Sequence, residues 1–379
     1  MKVETFNYPC PSCGAAQIYS PKTKTLICDF CKTSTNIKSV KNTTKHLIEN
    51  QDTLIQPQQY QDNKEINCKK CGASFTQASY IISTKCPYCK TPILTSASKE
   101  LPIDAILPFQ ITHKEAQKAF KKWVGSLWFA PTAFTKYLNG DNKLIGSYIP
   151  HFFFDGETTT YYNGQRGDAY YITVNKTIRD EQGNPKTVQV QERHIRWSNV
   201  SGVVDYSFRD ISIPASKDID YNIIDNLEKW DIKNIQNNTP QYLSGFQTEE
   251  YTIPLKHSFE KAKNKIKPKI YNKILRDIGG DEQRIDSFST KYIEPKYQNT
   301  ILPVWIASFK WNNKYYDYAV NGYNAKVSGE RPYSIIKIIS AVIALVAIIT
   351  ALYFISQTPS VQEFLSQFQH NEISYSYTK

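Results

Sequence analysis

Apolar residues fall along this chain in three patterns. Each predicts a different kind of element. The first is a continuous run: Ile338 to Ile355 carries no charge. Its eighteen residues, at about 1.5 Å each, span roughly 27 Å, close to the ~30 Å of a hydrocarbon core. Ser334-Ile335-Ile336 lengthen the run, with the Lys337 stem lying along apolar surface and its ammonium at the interface. Tyr333 and Tyr353 fall near the two interfaces. The run predicts a transmembrane helix over 333–356 rather than a buried core helix.

The second pattern has helical spacing. Ala116, Ala119, Phe120, Trp123 and Val124 recur on one face, and Thr112 with Glu115 forms a capping box ahead of them. A short helix is predicted over Asp220 to Trp230. A longer one is predicted over Pro254 to Asp277, ended by Gly279-Gly280, with Pro268 as a kink or break.

The third pattern is strand-like. Leu101 to Phe109 reads as extended. Residues 145 to 213 are dense in Tyr, Phe, Thr and Val, with Asn163-Gly164 and a Gly-Asn-Pro sequence predicted as turns. Strands are predicted again from Ile301 to near Val327. Ile149-Pro150-His151-Phe152-Phe153 resembles Leu302-Pro303-Val304-Trp305-Ile306, and an Asn-Gly pair follows each, the second being Asn321-Gly322. This suggests two β lobes joined by helices, a duplicated unit, against the alternative that aromatic strands look alike by chance.

The cysteines change the picture at the N-terminus. All eight lie in the first 89 residues. Cys10 and Cys13 are followed after fourteen residues by Cys28 and Cys31. Cys68 and Cys71 are followed, again after fourteen, by Cys86 and Cys89. A Cys-x-x-Cys turn offers two thiolates from one tight loop. Two such turns at the ends of a hairpin complete a tetrahedron for Zn²⁺ at about 2.3 Å per sulfur. Gly14 and Gly72 follow the second cysteine of their turns, where a positive φ is often required.

The expectation is two structural Zn²⁺ ions, each held by four cysteines. Redox pairs need a βαβ context that is missing, iron–sulfur spacings are less regular, and disulfides conflict with a reducing compartment. Lys32, Lys69, Lys70, Lys85 and Lys90 abut the ligands, either offsetting the site charge or simply solvated. Four protein ligands leave no position for water, so catalytic zinc is not expected.

The chain has 379 residues and a formal charge of +11. That excess admits nucleic acid or an anionic membrane as partner. The N-terminus lacks the apolar run of a signal peptide. Lys326, Arg331 and Lys337 precede the apolar run, whereas only Lys379 follows it. The positive-inside rule then places the N-terminal side in the cytoplasm.

Val361, Phe364, Leu365 and Phe368 have helical spacing, so the tail is expected to lie on the outer surface. There is no phosphate loop, no His-Glu-x-x-His and no Gly-x-Ser-x-Gly. The six histidines form no pattern, and His151 reads as a packing residue. No catalytic residue is assigned, no small-molecule substrate is evident, and the protein is not expected to be an enzyme.

The expected organisation is mixed and multi-domain. It comprises a β zinc ribbon over 1–39, a polar linker over 40–63 with a helical turn near His46-Leu47-Ile48, and a second ribbon over 64–99. An α+β, β-rich cytoplasmic domain over 100–332 follows, then the membrane helix and a short extracytoplasmic tail over 357–379.

The paired ribbons, Leu302-Pro303-Val304-Trp305, Tyr315-Tyr316-Asp317-Tyr318-Ala319-Val320-Asn321-Gly322, Lys326-Val327-Ser328-Gly329-Glu330-Arg331-Pro332 and the membrane helix together resemble a family of bacterial zinc-ribbon membrane proteins. Its members are often labelled TFIIB-type zinc-binding or primosomal-protein-N′-like. The helicase label lacks the phosphate loop it needs. The resemblance implies a membrane-anchored cytoplasmic scaffold or adaptor that recruits protein partners, among them SPFH-domain or phage-shock-type envelope-stress proteins.

The alternative is a membrane-tethered nucleic-acid-binding protein. Residues 1–100 hold thirteen lysines against seven acids, but no arginine, the usual reader of base edges. Tyr80 and Tyr88 could stack on bases, but ribbon-core packing is the expectation.

Overall fold

The computed structural model describes residues 5–41, 44–48, 63–95, 103–138, 144–179, 184–217, 220–359 and 361. Most of the polar linker and nearly all of the C-terminal tail, including Phe364, Leu365 and Phe368, lie outside the described residues. The chain divides into two compact units, residues 1–120 with 143–329, and residues 121–142 with 330–379.

The larger unit is sheet-rich. Its strands are β1 (Thr5–Phe6), β2 (Gln17–Ser20), β3 (Thr25–Cys28), β4 (Ser34–Asn36), β5 (His46–Leu47), β6 (Asn63–Asn67), β7 (Ser74–Ala78), β8 (Ile81–Lys85) and β9 (Pro92–Thr95). They continue with β10 (Ala105–Ile106), β11 (Ile145–Arg179), β12 (Pro185–Pro214), β13 (Gln236–Asn237), β14 (Gln247–Glu249), β15 (Glu282–Trp311), β16 (Lys314–Asn321) and β17 (Val327–Gly329). Twelve of them form one sheet in the order β1-β9-β8-β14-β11-β15-β10-β13, with β12 beside β11, β16 and β17 beyond β15, and β5 against β15. The two segments read as separate lobes are therefore neighbours in a single sheet.

Strands β11 and β15 run antiparallel with Ile149 opposite Leu302. Around that pair the hydrogen bonds come in matched sets. The Ala215 amide donates to Pro150 O and the Gly322 amide to Pro303 O, each at 2.8 Å. The amides of Gln110 and Ile111 donate to Gly322 O, as those of Thr252 and Ile253 do to Ala215 O. Strand β10 pairs parallel with β15 at Ala105–Thr300, and β14 pairs parallel with β11 at Ser147–Gln247. Helices α1 (His113–Gly125) and α2 (Leu255–Ile278) begin three residues after Gln110 and after Thr252, respectively.

The halves differ at their hairpins. Strands β15 and β16 turn tightly at Asn312-Asn313, whereas β11 and β12 continue as a ribbon, two-stranded beyond the Gly167–Glu282 pair. At about 3.3 Å per residue, β11 alone is roughly 115 Å long.

The core lies under the centre of the sheet. Ile149, Phe153, Leu302 and Val304 pack with Ile223, Ile224, Leu227 and Trp230. Ile223 and Ile224 belong to helix Tyr221–Asp225, which is capped by the Asp220 carboxylate. Helix α2 buries Phe259, Ala262, Ile266, Ile270 and Ile274 at spacings of three to four. It runs through Pro268 without ending, because this proline lies on the exposed face, where water can solvate the freed carbonyl.

Several expectations are corrected. His46-Leu47 is a strand, since pairing with Tyr297 and Lys296 supplies its hydrogen bonds. Asn163-Gly164 is a register shift inside β11, not a turn, because neighbours on both sides hold the strand extended. Strand β15 starts at Glu282, well before Ile301; the apolar residues of its first half, Ile285, Phe288, Tyr292 and Ile293, do not alternate with polar ones, so it is recognisable only beside β11. The capping box is present: the Thr112 amide donates to the Glu115 carboxylate at 2.8 Å, and the Glu115 amide to Thr112 Oγ at 3.3 Å. His151 is buried, with Nδ1 on Ile149 O at 2.9 Å, and burial lowers its pKa to about 4.

In the smaller unit, helix Ile335–Ser356 has an apolar surface exposed throughout and is long and apolar enough to cross a membrane. Ser334 caps it, accepting from the Lys337 amide. The Lys337 ammonium donates to the carbonyls of Trp128 and Ala130 at 3.2 and 2.8 Å, and the Ser334 amide to Phe129 O.

Candidate metal centres and membrane anchor

The four Cys-x-x-Cys turns share one backbone design. In each, the amide of the first cysteine donates to the carbonyl five residues on: Cys10 to Ala15, Cys28 to Thr33, Cys68 to Ala73 and Cys86 to Thr91. The residue after the second cysteine has positive φ and donates its amide back to the first cysteine. Gly14 and Gly72 fill this position in the leading turns, as the sequence predicts. Lys32 and Lys90 fill it in the trailing turns, at φ 62° and 60°. Their ammonium groups reach back to Asp29 O at 2.6 Å and Pro87 O at 2.8 Å. These two lysines therefore brace the turn, which neither charge offset nor simple solvation anticipates.

The turns gather the predicted ligands into two groups, Cys10, Cys13, Cys28 and Cys31, and Cys68, Cys71, Cys86 and Cys89. Within each group every sulfur lies within 4.8 Å of the others. The Cys10–Cys31 and Cys13–Cys28 sulfurs are 3.5 Å apart; Cys68–Cys89 and Cys71–Cys86 are 3.6 and 3.8 Å apart. A tetrahedron with about 2.3 Å bonds from metal to sulfur has edges of ~3.8 Å, so the cages fit such an ion. A disulfide would need about 2.05 Å.

The electrostatics agree. The Thr33 hydroxyl and amide hold Cys31 down to about 6, and Thr91 does the same to Cys89. Against the bond from the Ala15 amide, the crowding Cys28 and Cys31 sulfurs push Cys13 up to about 12. In the first cage Cys10 and Cys31 favour the thiolate and Cys13 resists it; a cation among four sulfurs packed so closely would stabilise the thiolates. Both groups could hold metal ions.

Ribbon 1 keeps its own three-stranded sheet, β2-β3-β4. It attaches to the body through buried Tyr19, whose hydroxyl donates to Phe109 O at 3.1 Å, and through Ser244 Oγ donating to Gln17 O at 2.7 Å. Ribbon 2 is divided. Strands β6 and β7 pair with each other, while β8 joins the main sheet through β14 and β9.

Tyr88 is 68% exposed at the tip of its turn, not packed in a ribbon core, because the second intervening residue of a trailing turn points outward. Phe30 holds the matching position in ribbon 1 at 71% exposure, with the Lys70 ammonium 4.9 Å from its ring centre. The sequence reading passed over Phe30, although its alignment with Tyr88 was there to be seen. It also passed over Trp128, which is 80% exposed and whose carbonyl binds Lys337 at the start of the apolar helix.

No protein-family model and no solved structure matches this chain. It is similar to "Uncharacterized protein YdjG" of Bacillus subtilis (strain 168), 25% identical over 335 residues that cover 86% of this chain and 90% of that protein.

Proposed function

We propose that this protein is a membrane-anchored scaffold or adaptor, not an enzyme, with two structural Zn²⁺ ions. One observation carries the reading: two cages of four cysteines, each closed by protein ligands, stand on the same chain as an exposed apolar helix of 22 residues. A closed tetrahedral site contributes folding energy and leaves no position for a reacting water. The helix anchors the chain in the cytoplasmic membrane. The ribbons and the sheet-rich body are cytoplasmic, and the tail after Ser356 is outside, in keeping with the basic flank before the helix. The recruited partner is a protein, with SPFH-domain and phage-shock-type envelope-stress proteins as the candidates to try first. The body is a duplicated unit, a reading supported by the matched bonds on Ala215 and Gly322.

Crosslinking in membranes followed by affinity purification tests the adaptor. A protein should be captured reproducibly by the full chain; failure to capture any would overturn the adaptor. A reporter fused after Lys379 should be active only outside the cytoplasm; cytoplasmic activity overturns the orientation.

A second reading, nucleic-acid binding, is favoured by the outward rings of Phe30 and Tyr88 beside lysines. Aromatic rings on a basic surface can stack on bases. Titration with single- and double-stranded DNA and RNA at about 0.15 M salt separates the two readings. Micromolar or tighter binding that is lost in Phe30→Leu and Tyr88→Leu, with metal retained, would replace the adaptor with the nucleic-acid reading.

A further inference from the structure

The matched halves of the sheet differ at one groove. In the second half, the chain's own segment Thr44–Ile48 lies along β15, with His46 opposite Tyr297 and Leu47 opposite Lys296. His46 is gripped there by Asp104, Nε2 to Oδ1 at 2.8 Å, and its ring lies 5.6 Å from Tyr297. Tyr297 stands five residues before Leu302, and the residue five before Ile149 is Leu144, which immediately precedes β11. Among the described residues, no strand pairs with the chain at Leu144.

In place of a strand there is an open cleft of about 580 Å³, bordered by Leu144, Ile145 and Gly146. Phe246 and Trp305 line it, together with Tyr19 from ribbon 1 and Lys85 from ribbon 2. Phe246 holds the place that Asp104 has in the filled groove, since Asp104 precedes Ala105 of β10 and Phe246 precedes Gln247 of β14. An acid that grips a histidine is thus replaced by an aromatic ring, stacked 4.2 Å from Phe109. Lys85 is the one charged residue bordering the cleft.

We propose that this cleft binds an extended peptide segment of a protein partner. The segment lies antiparallel to the chain at Leu144, just before β11, as Thr44–Ile48 lies along β15, and extends the sheet there through main-chain hydrogen bonds. It sets a large apolar or aromatic side chain on Phe246 and Trp305 and an acidic side chain at Lys85. Strand addition of this kind takes its affinity from the backbone and its specificity from pockets for alternate side chains. The cleft volume lies within the range of pre-formed ligand sites, about 300–1,000 Å³. The proposal rests on the adaptor reading and names where the partner is held.

The test is selection from a display library of random linear peptides on the full chain in nanodiscs, with oligonucleotide binding measured alongside. Enriched peptides should pair an aromatic or large apolar residue with an acid. Their affinity should fall at least about tenfold in Ile145→Asp and in Lys85→Glu. N-methylation of the central backbone amide should abolish binding. Ile145 is half exposed and Lys85 is exposed, so both variants should keep their zinc content and melting temperature, which are measured first.

Absence of enrichment, peptides that bind Ile145→Asp as well as the wild type, or an oligonucleotide that takes the site and is lost in Lys85→Glu would each overturn the proposal. Capture of the same membrane partner by wild type and Ile145→Asp would leave the adaptor standing and remove the cleft from it. Failure of both proteins to capture any partner would fall on the adaptor itself.

Discussion

The two ribbons have the same turns and the same ligand spacing, yet the body uses them differently. Ribbon 1 closes its own small sheet and touches the body through a few side chains and backbone bonds. Ribbon 2 lends β8 to the main sheet, where Ser83 pairs with Thr248 and its hydroxyl reaches Leu243 O and Phe246 O. The same four-cysteine turn geometry can therefore belong either to an appended module or to a built-in part of a larger sheet. What decides is the strand between the turns and where its outer edge finds hydrogen bonds.

The largest expected effect follows directly. Cys86→Ser removes a fully buried ligand at the end of β8, and loss of metal there should loosen the main sheet. Because structural zinc supplies the folding energy of such units, the body should lose on the order of 3 kcal/mol or more. Cys28→Ser, the matching change in ribbon 1, should leave the body within about 1 kcal/mol of wild type. Denaturant melting, with hydrogen exchange followed across Gln247–Glu249, distinguishes the two. Equal effects would break the comparison.

The attachments themselves give a smaller contrast. Ser83→Ala removes a buried hydroxyl whose one proton is shared between Leu243 O and Phe246 O; Leu243 O keeps the Phe246 amide, Phe246 O loses this donor, and the change should cost about 1–3 kcal/mol. Tyr19→Phe removes one hydroxyl bond, to Phe109 O, and should cost about 1 kcal/mol. If Tyr19→Phe proved the more damaging, ribbon 1 would be the integral one.

The smallest effect tests where the ribbons are alike. Lys32→Gly and Lys90→Gly both relieve a left-handed residue, worth roughly 1–2 kcal/mol, and both lose a bond to a turn carbonyl and add freedom to the unfolded chain. The two variants should each shift stability upward by less than about 1 kcal/mol, and by the same amount. Chemical unfolding of each ribbon, read by metal release, checks this. A difference between them would mean that the turns are not equivalent.

Much of this was legible in the sequence, for local reasons. The cysteine spacing, the Thr112–Glu115 capping box and the uncharged run ending at Ile355 are each contained in one short stretch of chain. What was not legible depends on distant partners. His46-Leu47 becomes a strand only because β15 offers an edge. Asn163-Gly164 stays extended because β12 and β15 hold it on both sides. The left-handed Lys32 and Lys90 had no glycine to announce them. Ile149-Pro150 and Leu302-Pro303 suggested a likeness, but their placement side by side, with matched bonds around them, is a property of the sheet.

The central claim is that both cages of cysteines are filled by structural zinc. Elemental analysis of the full chain, purified in detergent without added metal, tests it most directly. Two zinc ions per chain are expected, with one lost in Cys28→Ser and one in Cys86→Ser. Iron in place of zinc, or a single zinc in the wild-type chain, would contradict the account.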